Sequence, residues 1–202
     1  MLTATVSRIE RQEQILHSLD RFGFLSRGHL QRLHRLGGDR NAQKVLKSME
    51  EYLYSFREES YGTVYYLSRA GRQMIGSGKV VKRTLQTRHT LMRNDFFFFV
   101  GCPGNWRNEI KVTDGHTTLV TDALFTKNNR HNFLEVDNTQ SMSENAAKIR
   151  RYRDMFDRGL FQKEFGYFPT LHIVTVSRGR IKRFGELCEG MPVKVYYIDD
   201  IR

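Results

Sequence analysis

Three acidic residues in the second half of the chain have a spacing that could support phosphate chemistry. Asp122 lies within an otherwise apolar strand candidate, LVTDALF, and Glu135 and Asp137 flank Val136 in FLEVDN. Because side chains alternate along a strand, Glu135 and Asp137 are expected on one face. Carboxylates on adjacent strands are typical ligands for Mg²⁺ or Mn²⁺, ions that polarise phosphate and activate water in nucleases. Asp122, Glu135 and Asp137 are therefore candidate catalytic residues.

A fourth acid, Glu109, sits in the preceding strand candidate, WRNEIKV. With Asp122 and Glu135 it completes the predicted set of metal ligands, and Mg²⁺ or Mn²⁺ is the expected cofactor. The alternative is that an acid merely lies at a strand end or on the open face of the sheet. Charges avoid core strands unless they are paired or ligated, which favours a metal site at Asp122 and Glu135. For Glu109 the position at a strand end or on the open face is favoured.

Other cofactor signatures are absent from the sequence. No Gly-rich phosphate loop occurs, so no nucleotide cofactor is expected. The two cysteines, Cys102 and Cys188, are far apart, which excludes a disulfide framework and a zinc site of ordinary spacing.

The elements that would position these acids form a mixed α/β pattern with a central sheet over residues 83–202. A helix is expected over 84–100, although the Phe96–Phe99 run could instead begin a strand. Ser141-x-x-Glu144 has the form of a capping box, and Gly159 ends the helix that it opens. The expected strands cover 106–113, 117–125, 131–136, 170–176 and 193–198, with a further helix over 178–188.

Residues 1–82 have a different pattern, typical of a winged helix-turn-helix domain. Helices are expected over 8–21, from a Ser26 cap through Leu36, and from an Asp39 cap to about Tyr52. Two short aromatic and β-branched runs then flank a turn-rich tip, which predicts a hairpin. Three helices followed by a hairpin place the third helix in the DNA major groove and the hairpin against the backbone.

The predicted third helix separates polar from apolar residues. At about 100° per residue, one side is apolar and the other offers cations and amides that suit phosphates and base edges. The alternative is an ordinary solvated helix face. The predicted DNA-binding residues are Arg40, Asn41, Gln43, Lys44 and Lys47 of this helix and Arg57 beside the hairpin tip.

The charge balance agrees with an anionic partner. The 202 residues include 33 Lys and Arg against 22 Asp and Glu, a formal charge of +11. Residues 1–90 carry +8 of this and residues 91–202 only +3. Nucleic acid or an anionic membrane surface would attract such a chain. No apolar run approaches the roughly 20 residues of a membrane span, and no signal peptide is evident, so no membrane partner and a cytoplasmic location are expected.

Several motifs together resemble the replication-relaxation family of bacterial proteins. They are W-x-x-E at Trp106, TDALF, FLEVDN, and K-x-x-x-Y at Lys148 and Tyr152, following a winged helix. The resemblance covers residues 8 to 197. It implies a role in plasmid replication and plasmid DNA relaxation, with other plasmid replication or relaxosome proteins as partners.

The same spacing is similar to the restriction-endonuclease-like core, whose signature is an Asp followed by Asp/Glu-x-Lys. Here Asp137 stands in the Lys position, and loss of that Lys often marks a core that binds without cutting. Lys148, one helix later, could supply the missing ammonium as a fourth catalytic residue. Its alternative is a solvated Lys on a basic helix.

Three functions follow from these patterns. The favoured one is a protein of plasmid replication, relaxation or mobilisation that recognises double-stranded DNA through a winged helix. The others are a metal-dependent nuclease or nickase and a dimeric transcriptional regulator. A homodimer is expected because winged-helix proteins commonly bind paired half-sites, with Phe96–Phe99 as its seam.

Overall fold

The computed structural model describes the backbone of residues 2–202 and the side chains of residues 8–202. The chain divides into two compact units, residues 1–94 and 95–202. Residues 2–202 form eight α-helices, a three-stranded antiparallel sheet and a five-stranded mixed sheet, which confirms the predicted mixed α and β class. The division between the units falls within one helix, Gln86–Phe99, whereas the sequence predicted a boundary after residue 82.

The first unit begins with three helices and a small sheet. The helices are α1 (Leu2–Phe22), α2 (Arg27–His34) and α3 (Asp39–Lys47), and α4 (Arg69–Met74) follows the sheet. The strands are β1 (Leu25–Ser26), β2 (Leu53–Glu58) and β3 (Gly62–Leu67), in the spatial order β1-β3-β2.

The predicted N-cap of α2 is confirmed, whereas that of α3 is not. Ser26 caps α2 as predicted, since its Oγ accepts the backbone N–H of His29 at 3.1 Å. Asp39 was wrongly predicted as the cap of α3, because Gly38 holds that position. The Asp39 carboxylate instead accepts hydrogen bonds from Arg27 and Gln31. The predicted extension of α3 to Tyr52 is also wrong, since the helix ends at Lys47. Glu50 and Glu51 would lie at its C-terminal end, where the helix dipole disfavours acids.

A close backbone approach joins the end of the hairpin to α4. Ser68 caps α4, and its backbone N–H donates to the Tyr52 carbonyl at 2.9 Å. A Cβ atom at Gly71 would lie 2.2 Å from that same carbonyl oxygen. Only glycine fits here without a shift of the backbone.

The second unit is built on the five-stranded sheet, ordered β4-β5-β6-β7-β8. Strands β4, β5 and β6 are antiparallel neighbours, whereas β6, β7 and β8 run parallel. The helices are α5 (Gln86–Phe99), which ends in this unit, α6 (Met142–Arg158), α7 (Leu160–Phe165) and α8 (Arg178–Leu187). The strands are β4 (Arg107–Thr113), β5 (Thr118–Lys127), β6 (Arg130–Asp137), β7 (Thr170–Thr175) and β8 (Val193–Tyr197).

Each face of this sheet has its own apolar contacts. On one face, Phe133 and Ile173 of the sheet form a core with Tyr152 of α6 and Phe184 of α8. On the other face, Phe96 of α5 contacts the rings of Phe125, His172 and Tyr196. Phe96, Phe97 and Phe98 are all buried within the protein, so these three residues lie in the core and do not form the dimer seam suggested for them. Only Phe99 of the run is exposed.

No helix in the described part of the chain is long and apolar enough to cross a membrane.

Candidate functional site

The sheet register brings two of the predicted acids together. Ala123 of β5 pairs with Leu134 of β6, and the next step of the same register places Asp122 opposite Glu135. At this point the Asp122 side chain accepts the backbone N–H of Val136 at 2.7 Å. Both carboxylates are largely shielded, with 15% and 13% of the side-chain surface exposed. Two acids of the same charge therefore stand side by side at the centre of the sheet.

Helix α6 supplies the groups that hold this pair. The Lys148 ammonium donates to Glu135 Oε2, and its Nζ lies 3.9 Å from Asp122 Oδ1. The Tyr152 hydroxyl donates to Glu135 Oε1 at 2.5 Å. The spacing of Lys148 and Tyr152 puts both on one face of the helix. The interpretation of Lys148 as a solvated surface residue is not supported, because its ammonium faces the carboxylates.

These groups line a cleft of about 140 Å³, here called the carboxylate cleft. Its polar lining comes from Asp122, Glu135, Asp137, Gln140, Glu144, Asn145, Lys148 and Tyr152. Apolar residues such as Ile173 and Phe184 close its inner wall. The cleft is large enough for a few water molecules or one small polar group.

The electrostatics of the cleft follow from burial and crowding. Burial raises the pKa of Glu135 well above its usual range, and the neighbouring Asp122 charge raises it further, against the opposing effect of Lys148. Burial lowers the pKa of Lys148, but the charges of Glu135 and Asp122 outweigh it, so the pKa is raised. Burial and the Glu135 carboxylate raise the pKa of Tyr152 well above its ordinary value. Tyr152 is therefore a neutral hydrogen-bond donor at neutral pH.

Asp137 is occupied by structural contacts. Its Oδ1 accepts from Asn145 at 2.7 Å and from Arg180 at 2.6 Å, and its Oδ2 accepts from Thr175 at 2.6 Å. Only 1% of the residue is exposed. Asp137 thus ties β6 to β7, α6 and α8. It stands where the endonuclease signature has Lys, and the positive group of the cleft comes from α6 instead.

Glu109, the third predicted metal ligand, has an unusual backbone. Its φ of +52° lies in the left-handed region, and its neighbours Asn108 and Ile110 pair with Ala123 and Thr121 of β5. The residue is exposed, unlike Asp122 and Glu135. Among residues 8–202, no three His, Cys, Asp or Glu side chains are grouped so as to hold a metal ion. Both oxygens of Glu135 accept hydrogen bonds from α6, so a metal ion at this position would have to share them with Lys148 and Tyr152.

The second candidate site is the outer face of α3. Arg40, Gln43, Lys44 and Lys47 are exposed, while Ala42, Leu46 and the following Met49 are buried, as the helical period predicts. Asn41, also exposed, donates from its amide to the Leu36 carbonyl at 2.7 Å and so ties α3 to the turn that follows α2.

The predicted hairpin contact, Arg57, is exposed on β2. It is followed by Glu58 and Glu59, and Glu58 accepts the backbone N–H of Ser60 across the tip. The tip therefore carries one cation beside two acids, which is a weak attraction for phosphate compared with α3.

Sequence reasoning missed the partners of Asp137. Asn145 could have been found, since it lies three residues before Lys148 on the same face of α6. Arg180 and Thr175 could not, because only the pairing of β6 with β7 and the position of α8 bring them to Asp137.

Comparison with known proteins gives one informative match. No curated protein matches the chain. The crystal structure of protein VC1899 from Vibrio cholerae is similar over 96% of this chain at 12% identity and a TM-score of 0.38, and the chain spans about half of that protein (49%). The sequence model of the family described as replication-relaxation matches residues 16–171. Since that match covers most of the 202 residues, the chain belongs to the replication-relaxation family.

Proposed function

We propose that this protein binds double-stranded DNA and acts in plasmid replication or in plasmid DNA relaxation. The observation that carries the proposal is the outer face of α3, where Arg40, Lys44 and Lys47 are exposed together with Gln43. Cations of this kind neutralise phosphates, and Gln and Arg can read base edges in the major groove. Membership of the replication-relaxation family supports the same process.

The order of elements supports a winged-helix mode of binding. Helices α1, α2 and α3 are followed by the β2–β3 hairpin, and β1 adds a third strand beside β3. In that mode α3 enters the major groove, and two copies of the protein bind paired half-sites. The hairpin contributes less than α3, given the acids at its tip.

Equilibrium binding to a plasmid-origin duplex, measured against salt, tests this function. The wild-type affinity should fall steeply as salt rises, because bound cations displace counterions from DNA. Lys44→Ala should weaken binding and lower the salt slope by about one unit. Lys163→Ala, at an exposed position of α7, is the control and should change only the small contribution of net charge. Salt-independent binding, or equal effects of the two changes, would remove α3 from the interface.

A second candidate function is DNA cleavage at the carboxylate cleft. The observation in its favour is the position of Lys148, which brings an ammonium to Asp122 and Glu135 although the usual Lys position holds Asp137. A carboxylate pair with a neighbouring cation can orient water beside a phosphodiester. Mg²⁺ or Mn²⁺ is the proposed cofactor of such an activity, and it would have to compete with the Lys148 ammonium for the same oxygens.

Incubation with supercoiled plasmid, with and without Mn²⁺, separates the two functions. Cleavage would convert supercoiled DNA into nicked or linear forms, whereas a binding protein leaves it intact. The double change Asp122→Asn with Glu135→Gln should abolish any nicking and leave the salt-dependent binding in place. Nicking that survives this change would show that the cleft is not its source.

A further inference from the structure

A groove in the first unit lies between α1 and α3 and has a volume of about 320 Å³. From α1 it is lined by Arg8, Arg11 and Gln12, and from α3 and the residue that follows it by Lys44 and Ser48, among others. We call it the basic groove. The sequence-based prediction placed DNA contacts on α3 and the hairpin and assigned none to α1.

Charges on α1 are segregated with respect to this groove. At about 100° per residue, Arg8, Arg11 and Gln12 fall within one arc of the helix. Glu10 and Glu13 fall on the opposite side, so they do not neutralise the groove. No ion pair of Arg8 or Arg11 occurs among the described residues.

The arc that carries these cations is also the buried face of α1. Ile15 and Leu19 lie on it and are 0% and 1% exposed. Arg11 and Arg8 lie on the same face, about one and two turns before Ile15, and they are exposed. Two arginines that continue this face beyond the core give the groove a positive charge, and such a charge attracts an anionic ligand.

The groove is continuous with the outer face of α3. Lys44 lines the basic groove and also lines the neighbouring surface that includes Arg40. The charge of Arg11 also acts on His34 in the same unit. Burial lowers the pKa of His34, and the positive charge of Arg11 lowers it further. An anion in the groove would therefore meet Arg8, Arg11 and Lys44 together.

We propose that the basic groove binds the sugar–phosphate backbone of the duplex that α3 reads. This inference rests on the proposed DNA-binding function and extends the interface from α3 to the N-terminal half of α1. Arginine side chains in a concave surface suit phosphate oxygens through charge-assisted hydrogen bonds, and Gln12 adds a neutral donor. The contacts carry no sequence information, so they should strengthen binding to any duplex.

The test measures duplex affinity against salt concentration for the full chain and two double variants. Arg8→Gln with Arg11→Gln should lower the salt slope by about two units, one for each lost phosphate contact. Arg69→Gln with Lys163→Gln removes the same net charge from exposed positions outside the groove and should leave the slope close to wild type. Arg8→Lys with Arg11→Lys keeps the charge and should retain most of the slope. Circular dichroism checks that each variant is folded.

The outcomes separate this inference from the proposed function. Equal salt slopes for Arg8→Gln with Arg11→Gln and for the charge-matched control would overturn the proposal that the basic groove binds phosphate. Binding through α3 would not be affected by that result. A wild-type protein without salt-dependent duplex binding would overturn both. Loss of sequence preference in the groove variant, at an unchanged slope, would contradict a backbone contact. Binding of an acidic peptide in place of duplex, abolished by the groove variant, would assign the groove to a protein partner.

Discussion

The Lys148 ammonium stands between Glu135, to which it donates a hydrogen bond, and Asp122, whose nearer oxygen is 3.9 Å away. The three residues come from α6, β6 and β5, so this contact fixes the helix against the centre of the sheet. Two carboxylates that would repel each other are held together by one cation of the chain itself. We therefore expect the stability of the second unit to depend on this lysine.

Replacement of Lys148 with Met should destabilise the protein by about 2 kcal/mol, because a shielded carboxylate loses its charged donor. The Lys148 side chain is partly exposed, which keeps the cost below that of breaking a fully buried pair. Arg150→Met, at an exposed position of the same helix, is the control and should have little effect. Urea denaturation measures the unfolding free energy of each variant. If Lys148→Met and Arg150→Met lose the same amount, the ion pair of Lys148 does not stabilise the fold.

The raised pKa of Glu135 predicts a pH dependence of stability. Glu135 has an ordinary pKa of 4.5 in the unfolded chain and a higher one in the folded state, so the folded state holds the proton more tightly. The stability from this group is complete below about pH 4.5 and is lost as the pH rises through the folded pKa. Glu135→Gln cannot ionise and should lack this loss. As the pH rises from 4.5 towards neutral, the unfolding free energy of Glu135→Gln should therefore increase relative to that of wild type. If the unfolding free energy of wild type increases relative to that of the variant instead, the effect of Lys148 dominates and the pKa of Glu135 is lowered.

Much of the second unit could be predicted because its signals are local. The capping box at Ser141, the closing Gly159 and the alternating strands all appear in the structure within a residue or two of their predicted positions. The Phe96–Phe99 run was ambiguous because four apolar residues fit a helix and a strand equally, and packing against Phe125 and Tyr196 decides for the helix. The role of Asp137 could not be predicted, because its partner Arg180 is 43 residues away in the sequence.

Asp137→Asn should lower the unfolding free energy by about 3 kcal/mol, because Arg180 then loses its anionic partner in a buried setting. Thr175 and Asn145 would also donate to a weaker acceptor. Asp157→Asn on α6, an exposed carboxylate 4.0 Å from Arg153, should change stability by less than about 0.5 kcal/mol. Adding Arg180→Met to Asp137→Asn should cost less than the sum of the single changes. An Asp137→Asn protein of wild-type stability that has lost an activity would instead restore the predicted catalytic role.

Gly71→Ala should destabilise the first unit by at least about 3 kcal/mol, because a Cβ 2.2 Å from the Tyr52 carbonyl forces the backbone apart. Gly185→Ala within α8 is the matched control. Its Cβ would meet nothing within 4 Å, so the better helix propensity of alanine should stabilise by up to about 1 kcal/mol. Thermal melts distinguish the two by the sign of the change in Tm. A neutral Gly71→Ala would mean that the hairpin and α4 can separate without cost.

The competition between Lys148 and a divalent cation gives the last prediction. In wild type the Lys148 ammonium donates to Glu135 and lies 3.9 Å from Asp122, so its charge repels a second cation from the same oxygens. Lys148→Met removes that charge and leaves Asp122 and Glu135 as two adjacent oxygen ligands for Mn²⁺. Mn²⁺ should therefore raise the Tm of Lys148→Met more than that of wild type, by an amount that grows with concentration over Kd and corresponds to about 2.7 kcal/mol at a hundredfold excess. Adding Glu135→Gln should remove this gain. A larger Mn²⁺ effect in wild type than in Lys148→Met would show that the lysine leaves room for the metal, and it would favour metal-dependent cleavage at this cleft.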